Sequence, residues 1–168
     1  MTRGYLLDAN ILACWFDPKS KHHVRVVEHM NTLPADSPLA ISSITLGEIE
    51  YGHRAESAGN YSPVQVEFND FVKKQCPMIL DIRKSTAVDY GRLRAMLLDK
   101  YARKKRKRCR WPEQMIEPST GLSLGIQEND LWIAAQAVEH RLVLVSADKH
   151  MNRIHEVAND LALENWTQ

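Results

Sequence analysis

Short apolar runs alternate along the chain with stretches in which apolar residues recur every three or four positions. The first run, Tyr5 to Leu7, ends in Asp8 and then turns apolar again through Asn10 to Leu12, so YLLD reads as a buried strand that delivers one carboxylate to its exit. Ser20 can cap a helix through about Met30, with Val24, Val26, Val27 and Met30 on its apolar face and Pro34 and Pro38 ending it. LAISS, from Leu39, is a second short strand. Thr45 to Ala55 returns to helical spacing, with Leu46 and Ile49, and Tyr51 as a further candidate, turned inward. Ser62, Pro63 and Gln65 form a capping box with proline at the first helical position, opening a helix to about Gln75.

Beyond Pro77, MILDI is a third strand candidate, and Ser85 or Thr86 begins the longest helix, lined by Val88, Leu93, Met96 and Leu97. Trp111 to Gln127 has two prolines, two glycines and no clean period, and reads as an extended loop or insertion. NDLWIAAQAVEH carries an apolar stripe of Leu131, Ile133, Ala134, Ala137 and Val138. LVLV, ending at Val145, is the cleanest buried strand, since four consecutive apolar residues need cover on both faces. A helix from about Lys149 to Ala158 and a weak strand around Leu161 to Glu164 complete the series. This β/α alternation predicts a three-layer α/β/α fold around a central parallel sheet of four or five strands.

Length adds that the 168 residues make one domain, 1–168, with an insertion at about 99–127. The 44% hydrophobic and 26% charged residues are those of a folded globular chain rather than a disordered one. Charge changes the picture more. Lys100 to Arg110 holds eight Lys/Arg and no acid, so against a total of +1 the rest of the chain carries −7. No apolar stretch approaches a membrane span, and the three scattered cysteines, Cys14, Cys76 and Cys109, form no CxxC pair. Both point to a cytoplasmic protein with no membrane partner and no structural zinc.

Four acids stand out by position. Asp8 and Asp148 follow strands, Glu48 opens the helix after the second strand, and Asp130 opens the helix that runs back before LVLV. In a parallel α/β sheet all four fall on the rim at the carboxyl ends of the strands, where such folds bind ligands. Carboxylates gathered there repel unless a cation compensates them. Mg²⁺ or Mn²⁺ prefers a few carboxylates together with water and phosphate oxygens, an arrangement suited to phosphodiester hydrolysis. Asn10 and Ser146 are short polar groups able to orient such ligands. Each acid also has a plainer reading: Thr45 and Glu48 fit a capping box, Asp130 favours a helix N-terminus, and Asp8 or Asp148 can stabilise a turn.

YLLDANIL, ISSITLGEIEYG, ENDLWIAAQA and LVLVSADKHM, in that order, resemble the PIN-domain family, specifically the VapC-type toxin ribonucleases of bacterial toxin–antitoxin pairs. The resemblance implies a Mg²⁺- or Mn²⁺-dependent endoribonuclease. It assigns Asp8, Glu48, Asp130 and Asp148 to the acidic metal site, with Asn10 and Ser146 in support. It further implies an RNA substrate, a cognate antitoxin that blocks the site, and a homodimer. Two departures stand out: the segment 99–127 is longer and more basic than the family pattern, and QEND sets Glu128 close to Asp130.

Arg103, Lys104, Lys105, Arg106, Lys107, Arg108 and Arg110 are candidate RNA-phosphate contacts, with Tyr101 and Trp111 bordering them as candidate stacking residues. A solvated loop, or a surface for an acidic antitoxin tail, is the competing reading. The seven histidines show no compelling catalytic pair. Two rival functions follow from the same residues: a non-catalytic RNA- or partner-binding PIN-like module, and an aspartyl-nucleophile phosphatase. The phosphatase wants a second acid two residues after the nucleophile, where this chain has Asn10.

Overall fold

The computed structural model describes residues 3–57, 60–102 and 111–168. Five strands, β1 (Tyr5–Leu7), β2 (Leu39–Ser42), β3 (Met78–Leu80), β4 (Val143–Val145) and β5 (Ala162–Glu164), form one all-parallel sheet in the order β3-β2-β1-β4-β5. With seven α-helices among the described residues, the chain has the expected three-layer α/β/α class. β1 is central: Leu6 pairs with Ala40 of β2 on one side and with Leu144 of β4 on the other. From β1 the chain winds outward through β2 to β3, then resumes on the opposite side with β4. The carboxyl ends of β1 and β4 therefore flank the switch point, the crevice at which doubly wound sheets bind ligands.

Contacts divide the chain into two compact units. The first comprises the described residues of Met1–Asp81, Val143–Ala147 and Glu164–Gln168. It contains β1–β4 and helices α1 (Ala9–Phe16), α2 (His23–Thr32), α3 (Ser43–Ser57) and α4 (Pro63–Gln75). Its core includes Leu6, Leu7, Ile11, Leu12 and Ile41, all fully buried. Each contributes on the order of 1.5–3 kcal/mol by leaving water. Trp15 packs edge-on against Phe71 at 5.0 Å, and Trp166 seals the chain's end against Tyr5 at 5.3 Å.

Several local expectations change here. Helix α1 was not predicted, because ANILACWF is apolar nearly all round and shows no helical period. Helix α3 follows β2 with no loop, two residues earlier than the Thr45 start. Ser42 Oγ accepts the Ile44 N–H at 2.9 Å, so the Thr45–Glu48 capping box does not form and Thr45 is buried within the helix. Tyr51 points outward, 75% exposed. The Ser62–Gln65 capping box is present as expected, with both reciprocal hydrogen bonds made.

The second unit comprises the described residues of Ile82–Leu142 and Asp148–Leu163. It contains α5 (Lys84–Tyr101), α6 (Glu128–His140) and α7 (Met151–His155), the last shorter than the expected helix to Ala158. Helix α6 buries Leu131, Ile133, Ala134, Ala135 and Ala137. Such small residues let α5, which buries Leu93 and Leu97, pack closely against α6. Val88, expected inward, is exposed. The longest helix extends further than the basic run suggested: Lys100 and Tyr101 are its last turn, and Tyr101 is buried, its hydroxyl donating to Glu156 at 2.8 Å. Tyr101 is therefore unavailable for base stacking. No described helix is long and apolar enough to cross a membrane.

The stretch 111–127 is more ordered than an open loop. A single 3₁₀ turn (Pro112–Gln114) leads to an antiparallel bridge between Ile116 and Ser123, and Met115, Leu124 and Ile126 are buried. None of the three lies on a period that a sequence pattern could expose.

Two carboxylates tie this unit together and make it sensitive to acid. Burial works to raise Glu139, but the hydroxyls of Ser85 and Thr86 donate to it and outweigh that, leaving it below its ordinary value of 4.5. Glu156 is likewise lowered, by Lys100 and then Tyr101. A group whose pKa falls on folding contributes stability above its unfolded value and loses it as pH drops. The urea midpoint is expected to fall between about pH 5 and about pH 3, and to fall less steeply in Glu139→Gln. A parallel decline in both proteins would contradict the assignment to Glu139.

Candidate active site

At the switch point the sequence Asp8-Ala9-Asn10 changes from strand to helix within one residue. Asp8 has extended backbone and is the N-cap of α1, its Oδ1 accepting the Ala9 N–H at 2.8 Å. Its own N–H continues the sheet by donating to the Val145 carbonyl at 3.0 Å. Both contacts fix the carboxyl group beside the end of β4. The side chain is 7% exposed, so its hydrogen bonds are not interchangeable with water.

Asp8 Oδ2 accepts two more donors, Asn10 Nδ2 at 2.8 Å and the Ser146 hydroxyl at 2.6 Å. Asn10 Nδ2 also reaches Ser146 Oγ at 3.3 Å, and Asn10 Oδ1 accepts the Ala147 N–H at 2.9 Å. The Ala147 amide decides which way the Asn10 side chain faces, since only the carbonyl oxygen can accept from it. The nitrogen must then point at the carboxylate. Ser146 is held in turn by its N–H, which donates to the Glu164 carbonyl at 3.1 Å. Asp8, Asn10 and Ser146 thus form a mutually hydrogen-bonded set.

The other expected site residues stand as follows. Glu48 is half-buried in the second turn of α3, within the same unit as Asp8. Asp130 is the third residue of α6, and its Oδ2 accepts the Gln127 N–H at 2.7 Å, so the plain helix-start reading holds for that oxygen. Asp148 Oδ1 accepts the His150 N–H at 2.8 Å, a turn stabilised by its own side chain. Glu128 Oε1 accepts the Tyr90 hydroxyl and lies 3.6 Å from Arg94, while its Oε2 is buried without a hydrogen-bond partner among the described residues. Asp130, Asp148 and Glu128 belong to the second unit. The basic residues Arg103 to Arg108 and Arg110 lie outside the described residues.

Sequence reasoning missed the backbone donors Ala9 and Ala147. An Asp directly before an apolar run is an N-cap signal, which would have placed Ala9 at a helix start. Nothing local pointed to Ala147. The Tyr90–Glu128 pair, far apart in the chain, also left no trace in the pattern.

As a donor set the Asp8 group offers hard oxygen, oriented by short polar side chains, the chemistry that Mg²⁺ and Mn²⁺ prefer. Among the described residues no three His, Cys, Asp or Glu are gathered into a ready-made metal cage. Mg²⁺ does not require one, since it is usually held by one or two carboxylates and keeps water and phosphate oxygens as its other ligands. Ala9, next to Asp8, also borders an open groove of about 1100 Å³ lined by Ala13, Phe16, Ile49, His53 and Phe68.

The family model of the PIN domain matches residues 5–157. The chain belongs to the PIN domain family. This PIN domain is 28% identical over 163 residues to ribonuclease VapC2 of Rickettsia felis, covering 96% of this chain and 97% of that protein. It is similar in structure to VapBC2 from Rickettsia felis bound to a DNA fragment from their promoter, with TM-score 0.68, 27% identity, and coverage of 96% of this chain and 98% of that one. VapBC-1 from nontypeable Haemophilus influenzae matches over 98% of each chain with TM-score 0.66 and 23% identity, a likeness that bears on the fold alone.

Proposed function

We propose that this PIN domain is a Mg²⁺- or Mn²⁺-dependent endoribonuclease, the toxin of a toxin–antitoxin pair. The observation that carries the reading is the buried Asp8 carboxylate at the switch point, aimed by Asn10 and Ser146. Its likeness along nearly its whole length to a ribonuclease of the VapC kind supports the activity. In this reading Asp8 and Asp130 are the principal ligands of the ion, and Glu48 and Asp148 complete or tune the site. The bound ion supplies an electrophile that lowers the pKa of the attacking water and offsets charge on the departing oxygen. The chain's own part is positional. Ser146 and Asn10 hold Asp8 Oδ2, and the Ala147 amide holds Asn10, so the carboxylate meets its ligand without reorganising.

Asn10 also weighs against the phosphatase. A carboxamide that donates its N–H to Asp8 cannot protonate a leaving group, as an acid at that position would. An antitoxin that blocks the site is the proposed partner, and the groove bordered by Ala9 offers it an apolar surface next to Asp8. The toxin itself is proposed to act as a homodimer and as a single PIN-like domain.

The test is cleavage of a single-stranded RNA pool by the purified chain. Activity is expected with Mg²⁺ or Mn²⁺, to vanish in excess EDTA, and to return when either ion is restored. Full cleavage in EDTA would overturn the metal assignment. Release of phosphate from an aryl phosphate without RNA cleavage would select the phosphatase instead.

A further inference from the structure

We infer that Trp111 is a base-stacking residue for single-stranded RNA, an inference that rests on the nuclease reading and adds a second contact point to it. Trp111 is 47% exposed, so about half of a large, amphipathic ring is in solvent. It is nevertheless held in place. Its N–H donates to Gln114 Oε1 at 3.0 Å, and the following Pro112 is buried, which fixes the main chain on both sides of the indole's attachment.

The ring is supported from within the second unit. The Arg94 guanidinium lies 5.7 Å from the Trp111 ring centroid and 5.7 Å from that of Tyr90. Arg94 donates to the Tyr90 hydroxyl, which in turn donates to Glu128. Tyr90 stacks on Trp132 with 3.9 Å between centroids and 9° between planes. Trp132, Tyr90, Arg94 and Trp111 thus form a graded series from helix α6 to the surface, with a half-exposed indole at its outer end. A ring backed by a guanidinium, with part of its surface left to solvent, is the type of platform on which bases stack in single-stranded nucleic-acid binding.

Charge selects the occupant. Arg110 is covalently next to Trp111 and closes the run of eight Lys/Arg that begins at Lys100, on a chain otherwise carrying −7. A polyanion with exposed π-faces suits that juxtaposition, whereas an apolar protein segment would use the ring and not the charge. Duplex RNA has its bases already stacked, so the site is specific for unpaired strands and tolerant of base identity.

The test uses the intact chain in EDTA, so that RNA is bound and not cut, with fluorescence anisotropy of a labelled single-stranded oligonucleotide. Trp111→Ala is expected to weaken binding by roughly 5- to 100-fold, and Trp111→Phe, which keeps a ring, by much less. The slope of affinity against salt should stay the same, because no phosphate contact is lost. Binding of duplex RNA should be unaffected. In Mg²⁺ the Ala variant should show a raised KM with kcat retained. Equal single-strand affinity in Trp111→Ala would overturn the assignment and leave the ring to a protein partner. An equal loss on duplex would overturn it too, as a folding effect. A wild-type chain that neither binds nor cuts RNA would instead overturn the nuclease reading.

Discussion

Asp8→Asn is expected to lower Mg²⁺-dependent RNA cleavage by about 10²- to 10³-fold or more, and also to destabilise the protein by about 1–3 kcal/mol. The loss of activity follows from replacing a charged oxygen ligand by a neutral amide. The loss of stability follows from the hydrogen bonds. Asp8 accepts from Ala9 through Oδ1 and from Asn10 and Ser146 through Oδ2. An asparagine has one oxygen to place. If it keeps the Ala9 amide, its NH₂ faces the Asn10 NH₂; if it turns round, its NH₂ faces the Ala9 N–H. Either orientation buries two donors against each other. Asn10 cannot turn to relieve this without abandoning the Ala147 amide. Thermal melting alongside RNA gels checks both parts. Retained cleavage would remove Asp8 from the site, and an unchanged melting temperature would show that the network rearranges freely.

That double expectation shows why the plain and functional readings of Asp8 did not compete. The residue is a helix N-cap and the focus of the candidate site at once, because a strand that ends at the switch point hands over to a helix there. YLLD and LVLV made the strands legible, since runs of buried β-compatible residues have few alternatives. Helix α1 stayed hidden between them because its apolar residues are not confined to one face. Tyr51 and Val88 misled in the opposite direction: both occupy apolar positions at helical spacing, and both face solvent. Spacing identifies a face but not what covers it. Tyr101 was read as part of the basic run, although its four-residue spacing from Leu97 and Leu93 already continued the buried stripe of α5. The stretch 111–127 was opaque for a different reason. Met115, Leu124 and Ile126 turn inward through an irregular chain path, and such a path is set by what it packs against rather than by local period.

Gly125→Ala is expected to cost about 2–5 kcal/mol. Two separate penalties combine. Gly125 has φ +72°, a left-handed conformation that costs an L-residue about 1–2 kcal/mol. A Cβ there would also lie 2.4 Å from Cε1, 2.5 Å from Nδ1 and 2.6 Å from Nε2 of His150, so the methyl would strike the imidazole and force it aside, at about 1–3 kcal/mol. The double variant Gly125→Ala/His150→Ala separates the terms, because it removes the ring and keeps the strained backbone. Relative to His150→Ala alone, adding the methyl should then cost only the conformational part, and the difference between the two costs is the coupling read from the cycle. For a protein of this size the single variant should melt about 4–20 °C lower. An equal cost of the methyl with and without His150 would show that the ring moves aside freely. Only a backbone shift would reach the proposed site, since it is the main-chain N–H of His150 that donates to Asp148, at 2.8 Å. A ring that swings aside by rotating about its own side-chain bonds leaves that turn in place. Cleavage in Gly125→Ala should therefore be retained at temperatures where the protein remains folded, and a fall there would show that the His150 backbone moves with its ring.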